Sequence, residues 1–409
     1  WRIVQDHINK ELFFLATEFG IYSSFNSCKN WQKLNGTPNM GFRDLVIQKR
    51  ENDLVAASFG RGFYILDDYS PFRNFSNENL KRKGHLFPIK DGKWFIQRSN
   101  LGNTGADYYI AENPKYGVTM TYHLSDSYET KTEKRKKREK LLNQKMLDVP
   151  FPGYNSLDNE KNEIPAYIKI SIEDENGNII RHIEERASKG MHRITWDLRH
   201  MYKGSLNDLN NQYSLRGPIV KPGKYSATLY LVEKGLTTKL SEKKSFNVNP
   251  IYESTLKGTS FEEYNKYMDD YFKVYRDIES LEYDFKTVEE KIKSLKIAID
   301  NTPRKAKELV LDFYNLKNSF LSMKIKVLGN ESKMEIGEKN PPSLINRIRV
   351  AGQGLSSSYG PTKLHLESLD MARQIYQELK SDFDVLIMKA VNTLENKIKT
   401  SGGPLIIED

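Results

Sequence analysis

The sequence predicts a multidomain protein of the β plus α class, with β-rich segments first and a helical segment last. Short alternating apolar runs, separated by glycine-containing turns, occupy residues 1–250. From Phe261 onward, aromatic and aliphatic residues recur at steps of three and four, which is the period of an amphipathic helix. The length of 409 residues is enough for about two or three domains, each with its own core.

Residues 1–73 are predicted to form short strands of a sheet repeat. The predicted strands are Leu12–Thr17, Ile21–Phe25, Trp31–Leu34 and Phe42–Gln48. A hairpin follows between Asp53 and Asp68, where two apolar runs flank a turn whose two glycines permit positive φ. We interpret this hairpin as the last one of the repeat, because the composition changes after Pro71.

Arg61, at the tip of this hairpin, is the one candidate binding residue. Two interpretations stay open for it: a ligand contact at the rim of the repeat domain, or a salt bridge that pins the turn. The neighbouring pair Asp67-Asp68 invites comparison with a glycosidase, which needs two carboxylates on either side of one bond. Adjacent residues of a strand point to opposite faces, so we expect a solvated or capping strand end instead.

The stretch Ser24-Phe25-Asn26-Ser27-Cys28-Lys29-Asn30-Trp31 resembles an Asp-box, the Ser-x-Asp-x-Gly-x-x-Trp hairpin of BNR-type β-propellers. Asn26 stands where the box has Asp, and Cys28 stands where it has Gly. Asn retains the ability to cap its own turn. The resemblance implies structural roles for Ser24, Asn26 and Trp31, with the Trp packing between blades.

The neighbouring sequence extends this resemblance over residues 11–73. ATEFGIYSS and FRDLVIQKRENDLVAASFGRGFYILDDYSPFR are similar to the closing blade of bacterial BNR-repeat, sortilin (VPS10)-like propeller proteins, often labelled glycosyl hydrolases. That family usually has His where Phe59 stands. The resemblance implies an exported protein of the periplasm, cell envelope or exterior, with further blades and any signal peptide ahead of Trp1.

Two functions are compatible with this resemblance. The first is a non-catalytic scaffold and interaction region, in which the propeller binds a protein, peptide or polysaccharide partner. The alternative is part of a glycan or peptide hydrolase whose active site lies in further blades. The active-site pocket of such a hydrolase would need residues from several blades, and residues 1–73 amount to little more than one blade.

Residues 74–105 are predicted to be a connector that lies along a neighbouring surface, and residues 106–250 a β-sandwich. The predicted strands are Val118–Leu124, Tyr167–Ile172, Ile179–Ile183, Met191–Leu198 and Ser226–Tyr230. Their motifs, NPxYG, GxHRxxWDLR and PGxY, resemble the small Ig-like domain that follows the propeller in the same family. Trp196 is expected to be a core anchor of the sandwich.

A charged helical insertion, residues 127–160, interrupts the sandwich. Its segment Lys131–Leu147 is rich in Lys, Arg and Glu. We favour a solvated surface helix over a basic helix that binds nucleic acid or another anionic polymer, because no aromatic residues are interleaved for base stacking. The net charge of +9 is interpreted in the same way, since Lys and Glu alternate along most of the chain. No nucleic-acid partner is predicted.

Residues 251–409 are predicted to form an antiparallel helical bundle. The first helix begins at Phe261, and Thr302-Pro303 separates it from a second, which runs from Arg304 to Val327. Further helices are expected at Ser343–Val350 and, capped by Thr362, at Lys363–Lys399. The segment Leu405–Ile407 is expected to tuck back onto the bundle.

The sequence predicts no catalytic residue, cofactor or metal site. His192 and His200 flank Trp196, but a strand would hold them more than roughly 25 Å apart. Cys28 is the only cysteine, so neither a disulfide within the chain nor a CxxC metal site can form. No apolar run is long enough to span a bilayer.

Overall fold

The computed structural model describes residues 1–97, 111–205, 216–252, 255–303 and 307–404. It combines several β-sheets with a C-terminal helical region, which confirms the β plus α class. The chain divides into two compact units, the first made of Trp1–Trp94, Ser99–Arg199 and Val220–Ile251, the second of Phe95–Arg98, His200–Ile219 and Tyr252–Asp409. In the part of the chain described, no helix has the length and apolarity that a membrane span requires.

Two antiparallel sheets begin the first unit. One has the order β1-β2-β3-β4, and its strands are β1 Arg2–Gln5, β2 Phe13–Thr17, β3 Gly20–Ser24 and β4 Gln32–Lys33. The other has the order β5-β6-β7, with β5 Phe42–Gln48, β6 Asp53–Ser58 and β7 Phe63–Leu66. Alternate side chains of these strands meet in one buried cluster that includes Phe14, Phe42 and Leu54.

The region predicted to be a connector contributes strands of its own. A 3₁₀ turn, Ser70–Asn74, leads to the short helix α1, Asn77–Lys81, and then to β8, Gly84–Leu86, and β9, Gly92–Trp94. These three-residue strands are hydrogen-bonded into the sheets that follow. Gly92 lies so close to Val118 that an added Cβ would come within 2.4 Å of its methyl carbon. Strands this short carry too little periodicity for sequence to separate them from loops.

Two further sheets complete the first unit. Their strands are β10 Val118–Leu124, β11 Tyr167–Asp174, β12 Ile179–Arg186, β13 Gly190–Trp196, β14 Gly223–Glu233, β15 Leu236–Lys239 and β16 Lys244–Pro250. The smaller sheet has the order β13-β10-β8, and the larger has the order β12-β11-β14-β16-β9, with β15 paired to β14. Trp196 is fully buried and packs edge-on against Tyr225, which confirms its predicted place in the core.

The insertion between β10 and β11 is helical, as predicted. It comprises α2, Lys131–Gln144, and α3, Tyr154–Lys161. Neither helix contains a buried residue, so the insertion adds nothing to the core of the unit.

The helical region of the second unit packs around one apolar core. Its helices are α4 Phe261–Asp300, α5 Lys307–Leu328, α6 Glu331–Glu335, α7 Leu344–Gln353, α8 Lys363–Asp382 and α9 Lys389–Thr400, with a π-helical segment, Phe383–Met388, joining the last two. The predicted aromatic stripe of α4, including Tyr264, Tyr267 and Phe272, is buried. The expected helix start at Arg304 and the expected docking of Leu405–Ile407 lie outside the described residues.

Candidate functional site

Arg61 lies at the exposed tip of the β6–β7 hairpin. Ser58 closes the turn, because both its backbone N–H and its Oγ donate to the carbonyl oxygen of Gly62. Gly60 and Gly62 adopt positive φ, as the turn requires. Arg61 forms no ion pair with any residue that the structure describes, so the salt bridge considered for it is not made there. Its role at the rim stays a prediction.

The Asp-box-like turn lies between β3 and β4. Ser24 Oγ donates to Asn26 Oδ1 over 3.2 Å, and Asn26 Oδ1 also accepts from the backbone N–H of Asn30 over 2.9 Å. The backbone N–H of Cys28 donates to Ser24 Oγ. Cys28 adopts φ of 67°, so it occupies the left-handed conformation that glycine holds in the motif. Trp31 is partly buried at the end of the turn.

The first unit contains a cleft of about 630 Å³, and this is the candidate functional site. One wall consists of apolar side chains that end β7, belong to α1 or follow β3, β4 and β7: Phe25, Leu34, Leu66, Phe72, Phe75 and Leu80. The opposite wall is the sheet of β10 and β13, whose registers pair Thr121 with Arg193 and His123 with Met191. Residues about 100 positions apart in sequence therefore meet here.

Two polar atoms in the cleft have no hydrogen-bond partner among the described residues: Ser23 Oγ and His123 Nδ1. Ser23 is only 1% exposed, so its hydroxyl is removed from bulk water. Burial lowers the pKa of His123, and the electrostatic effects of the nearby His192 and Lys189 side chains lower it further. The lowered pKa favours the neutral form of the His123 imidazole. A buried polar atom left unpaired costs about 1–3 kcal/mol, so a ligand that paired with these two atoms would gain affinity.

The Lys and Arg side chains that line the cleft are already engaged. Lys33 Nζ donates to Asn39 Oδ1 over 2.7 Å. Arg193 donates to the backbone carbonyls of Asp67 and Asp68, so it ties β13 to the strand end that follows β7. Asp68 Oδ1 in turn accepts from Ser70, which makes it a capping residue as expected. These contacts fix the cleft walls. A ligand would therefore meet the apolar surface and the two unpaired polar atoms.

A second polar cluster, which the sequence did not reveal, is fully paired. Asp6 accepts from Arg73 at both carboxylate oxygens, over 2.8 and 2.9 Å, and from the Tyr69 hydroxyl over 2.6 Å. Burial would raise the pKa of Asp6, but the hydrogen bonds from Arg73 and Tyr69 outweigh it and hold that pKa far below its usual range. Because these groups satisfy one another, the cluster stabilises the fold and offers nothing to a ligand.

The second unit has a shallower groove of about 350 Å³ between α5, the π-helical segment and α9. Lys397 and Asp312, which both line it, form an ion pair of 2.6 Å. Throughout residues 1–97, 111–205, 216–252, 255–303 and 307–404, no group of three or more His, Cys, Asp or Glu side chains is placed to hold a metal ion.

Comparisons with known proteins do not identify the chain. No family model matches it, and a search of the curated proteins finds no match. The functional assignment therefore depends on the geometry of the cleft and on the residues that carry the resemblance.

Proposed function

We propose that the chain is a non-catalytic interaction region that binds an extended protein or peptide segment in the cleft of the first unit. The observation that carries this proposal is the pairing of an apolar, aromatic wall with the unpaired Ser23 Oγ and His123 Nδ1. An apolar side chain of the partner would fill the space beside Phe25 and Phe75, whose rings lie 4.5 Å apart. The backbone of the partner would pair with Ser23 Oγ and His123 Nδ1.

The proposal extends to the family and the finer architecture. We infer that the chain is the C-terminal part of an exported BNR-repeat, sortilin-like propeller protein, with blade-like sheets, an Ig-like sandwich and a helical bundle. The four-stranded order β1-β2-β3-β4 and an Asp-box-like turn between its third and fourth strands support this inference. Export is inferred from the resemblance alone.

Arrays of peptides and glycans probed with the chain would test the proposed function. We expect retention on a subset of peptides, and a loss of affinity of about tenfold or more in Phe75→Ser and in His123→Leu, because each removes a side chain that lines the cleft. Arg61→Ala is the matched comparison, since it changes an exposed residue at the hairpin tip.

The same arrays distinguish the alternative binding sites, partners and activities. Equal binding by the wild type and both cleft variants would contradict the assignment of the site, and a loss in Arg61→Ala alone would move it to the hairpin tip. Binding of glycans only would favour a polysaccharide partner. Cleavage of an arrayed substrate would favour the hydrolase alternative.

A further inference from the structure

We propose that the insertion between β10 and β11 is a docking element for the surface of an anionic lipid bilayer. This inference is independent of the cleft. It concerns α2, the loop that follows it, and α3. In the insertion, exposed cations and exposed large apolar side chains occur together in one short segment.

The insertion has a defined structure although it lacks a core. A capping box begins α2, in which the Glu133 backbone N–H donates to Thr130 Oγ1 and the Thr130 backbone N–H donates to the Glu133 carboxylate. Arg135 donates to Glu160 over 2.9 Å and thereby joins α2 to α3. An ion pair between Glu133 and Arg186 anchors α2 to β12. The insertion therefore presents its surface in a fixed arrangement.

The first half of the insertion is strongly basic. Residues 131–145 contain eight Lys or Arg and two Glu, a net charge of +6. Arg135 and Lys137 form ion pairs. Four further exposed cations form none with the residues described: Lys134, Lys136, Arg138 and Lys140. Lys134 and Arg138 are four residues apart, and so are Lys136 and Lys140, so each pair lies on one face of α2. Unpaired cations on a helix face are attracted to an anionic surface.

The second half of the insertion exposes apolar side chains. Met146 is 96% exposed, Tyr154 78% and Ile164 80%. Phe151 is also exposed and packs edge-on against Tyr154, with ring centroids 5.1 Å apart. Apolar side chains at a protein surface that pack into no core mark an interaction site when they cluster.

The combination of exposed cations and exposed apolar side chains favours a bilayer over other anionic partners. A nucleic acid would use the cations, but it offers no apolar interior for Met146 or Ile164. An anionic lipid surface accepts both groups at once, because headgroups attract the cations while the apolar side chains enter the boundary of the acyl region. We infer that the insertion lies on the bilayer surface and does not cross it.

Co-sedimentation of the whole chain with vesicles tests the proposal. We expect binding to phosphatidylcholine vesicles that contain phosphatidylglycerol, little binding to phosphatidylcholine alone, and weaker binding as salt rises. A charge variant, Lys136→Ser with Arg138→Ser and Lys140→Ser, and an apolar variant, Met146→Ser with Phe151→Ser and Tyr154→Ser, should each weaken binding about tenfold or more. Because α2 and α3 bury no residue, both variants should keep the unfolding temperature of the wild type.

A matched control changes three exposed lysines of the second unit, Lys317→Ser, Lys326→Ser and Lys339→Ser, and should leave binding unchanged. Three results would overturn the proposal: equal binding to neutral and anionic vesicles, an equal loss in the control, or full vesicle binding by the apolar variant. Duplex DNA provides the last comparison. Retention of DNA that depends on the cations, without vesicle binding, would assign the insertion to nucleic acid instead.

Discussion

At the scale of single residues, the Asp6–Arg73 pair is a buried contact that joins separate parts of the N-terminal sheets. The Asp6 side chain is completely buried and that of Arg73 nearly so. Arg73 also donates to Asn52 over 2.6 Å, so one guanidinium joins the chain after β1, the β5–β6 turn and the 3₁₀ turn. Removal of one member would leave the other charge buried without compensation.

Arg73→Met should therefore lower the free energy of unfolding by about 3–5 kcal/mol. Arg61→Met makes the same chemical change at an exposed residue and should cost less than about 0.5 kcal/mol. Urea unfolding of the two variants against the wild type measures both values. Equal effects would show that the buried pair is not what holds these sheets.

Glu51 links stability to pH. Hydrogen bonds from Lys90 and Lys93, each 2.7 Å long, lower the pKa of Glu51 to about 2 from the ordinary value of 4.5. Since the folded-state pKa is the lower one, the stabilisation is complete above roughly pH 4.5 and is lost as the pH falls toward 2. Lys93 is largely exposed, so we expect a contribution of about 1 kcal/mol.

Glu51→Gln should remove this contribution. The difference in unfolding free energy between wild type and variant should be constant near neutral pH and shrink as the pH falls below roughly 4.5. Urea unfolding at a series of pH values measures it. A difference that grows on acidification would have the opposite sign and would refute the assignment.

At the scale of elements, the turn before β10 depends on a glycine. Gly117 has φ of 127°, and an added Cβ would come within 1.8 Å of the carbonyl oxygen of Trp196. Gly117→Ala should therefore cost more than about 3 kcal/mol, because it combines a backbone clash with a disfavoured conformation.

Gly153→Ala is the control for that prediction. Gly153 also has positive φ, but nothing lies within 4 Å of an added Cβ, so only the conformational cost of about 1–3 kcal/mol applies. Thermal unfolding compares the two variants. A Gly117→Ala protein as stable as Gly153→Ala would show that the backbone at Trp196 can shift without cost.

Sequence predicted the longest elements best. The start of α4 at Phe261 follows from Ser260 and Glu263, which form a capping box, and from the long apolar stripe behind them. Strand β1, by contrast, was missed because Arg2–Gln5 has no turn residues before it and buries no side chain fully. The last predicted helix is interrupted by the π-helical segment Phe383–Met388, and no Gly or Pro marks that change of pitch.

At the scale of the whole molecule, the sheet β5-β6-β7 has an open edge in the part of the chain that the structure describes. There its terminal strand β7 pairs only with β6, and Phe63 and Ile65 on that strand are 75% and 60% exposed. An exposed apolar edge strand is a template for association with another chain. We expect the isolated chain to aggregate, with weak protection from hydrogen exchange in β7.

Phe63→Lys with Ile65→Lys should reduce that aggregation, because charged side chains on an edge strand oppose pairing. Light scattering at increasing protein concentration measures the effect. Uniform protection of residues 1–73 in a monomer would contradict the prediction.

The candidate cleft could not be predicted from sequence. Ser23 and His123 carry no motif, and their proximity follows from how β3 and β10 are placed within one unit. Local patterns report periodicity and turns, whereas this site depends on contacts between distant strands. The Asp-box-like turn was visible because its residues are consecutive.

The long helix α4 constrains how a chain of this kind can change in length. Its 40 residues extend roughly 60 Å, and its buried positions from Tyr264 to Ile299 stay in phase over that distance. One inserted residue would rotate everything after it by about 100° and turn the stripe away from its neighbours. Insertions and deletions should therefore be tolerated at open turns such as Gly177 and Gly235, where the surrounding space is empty, and rejected within α4.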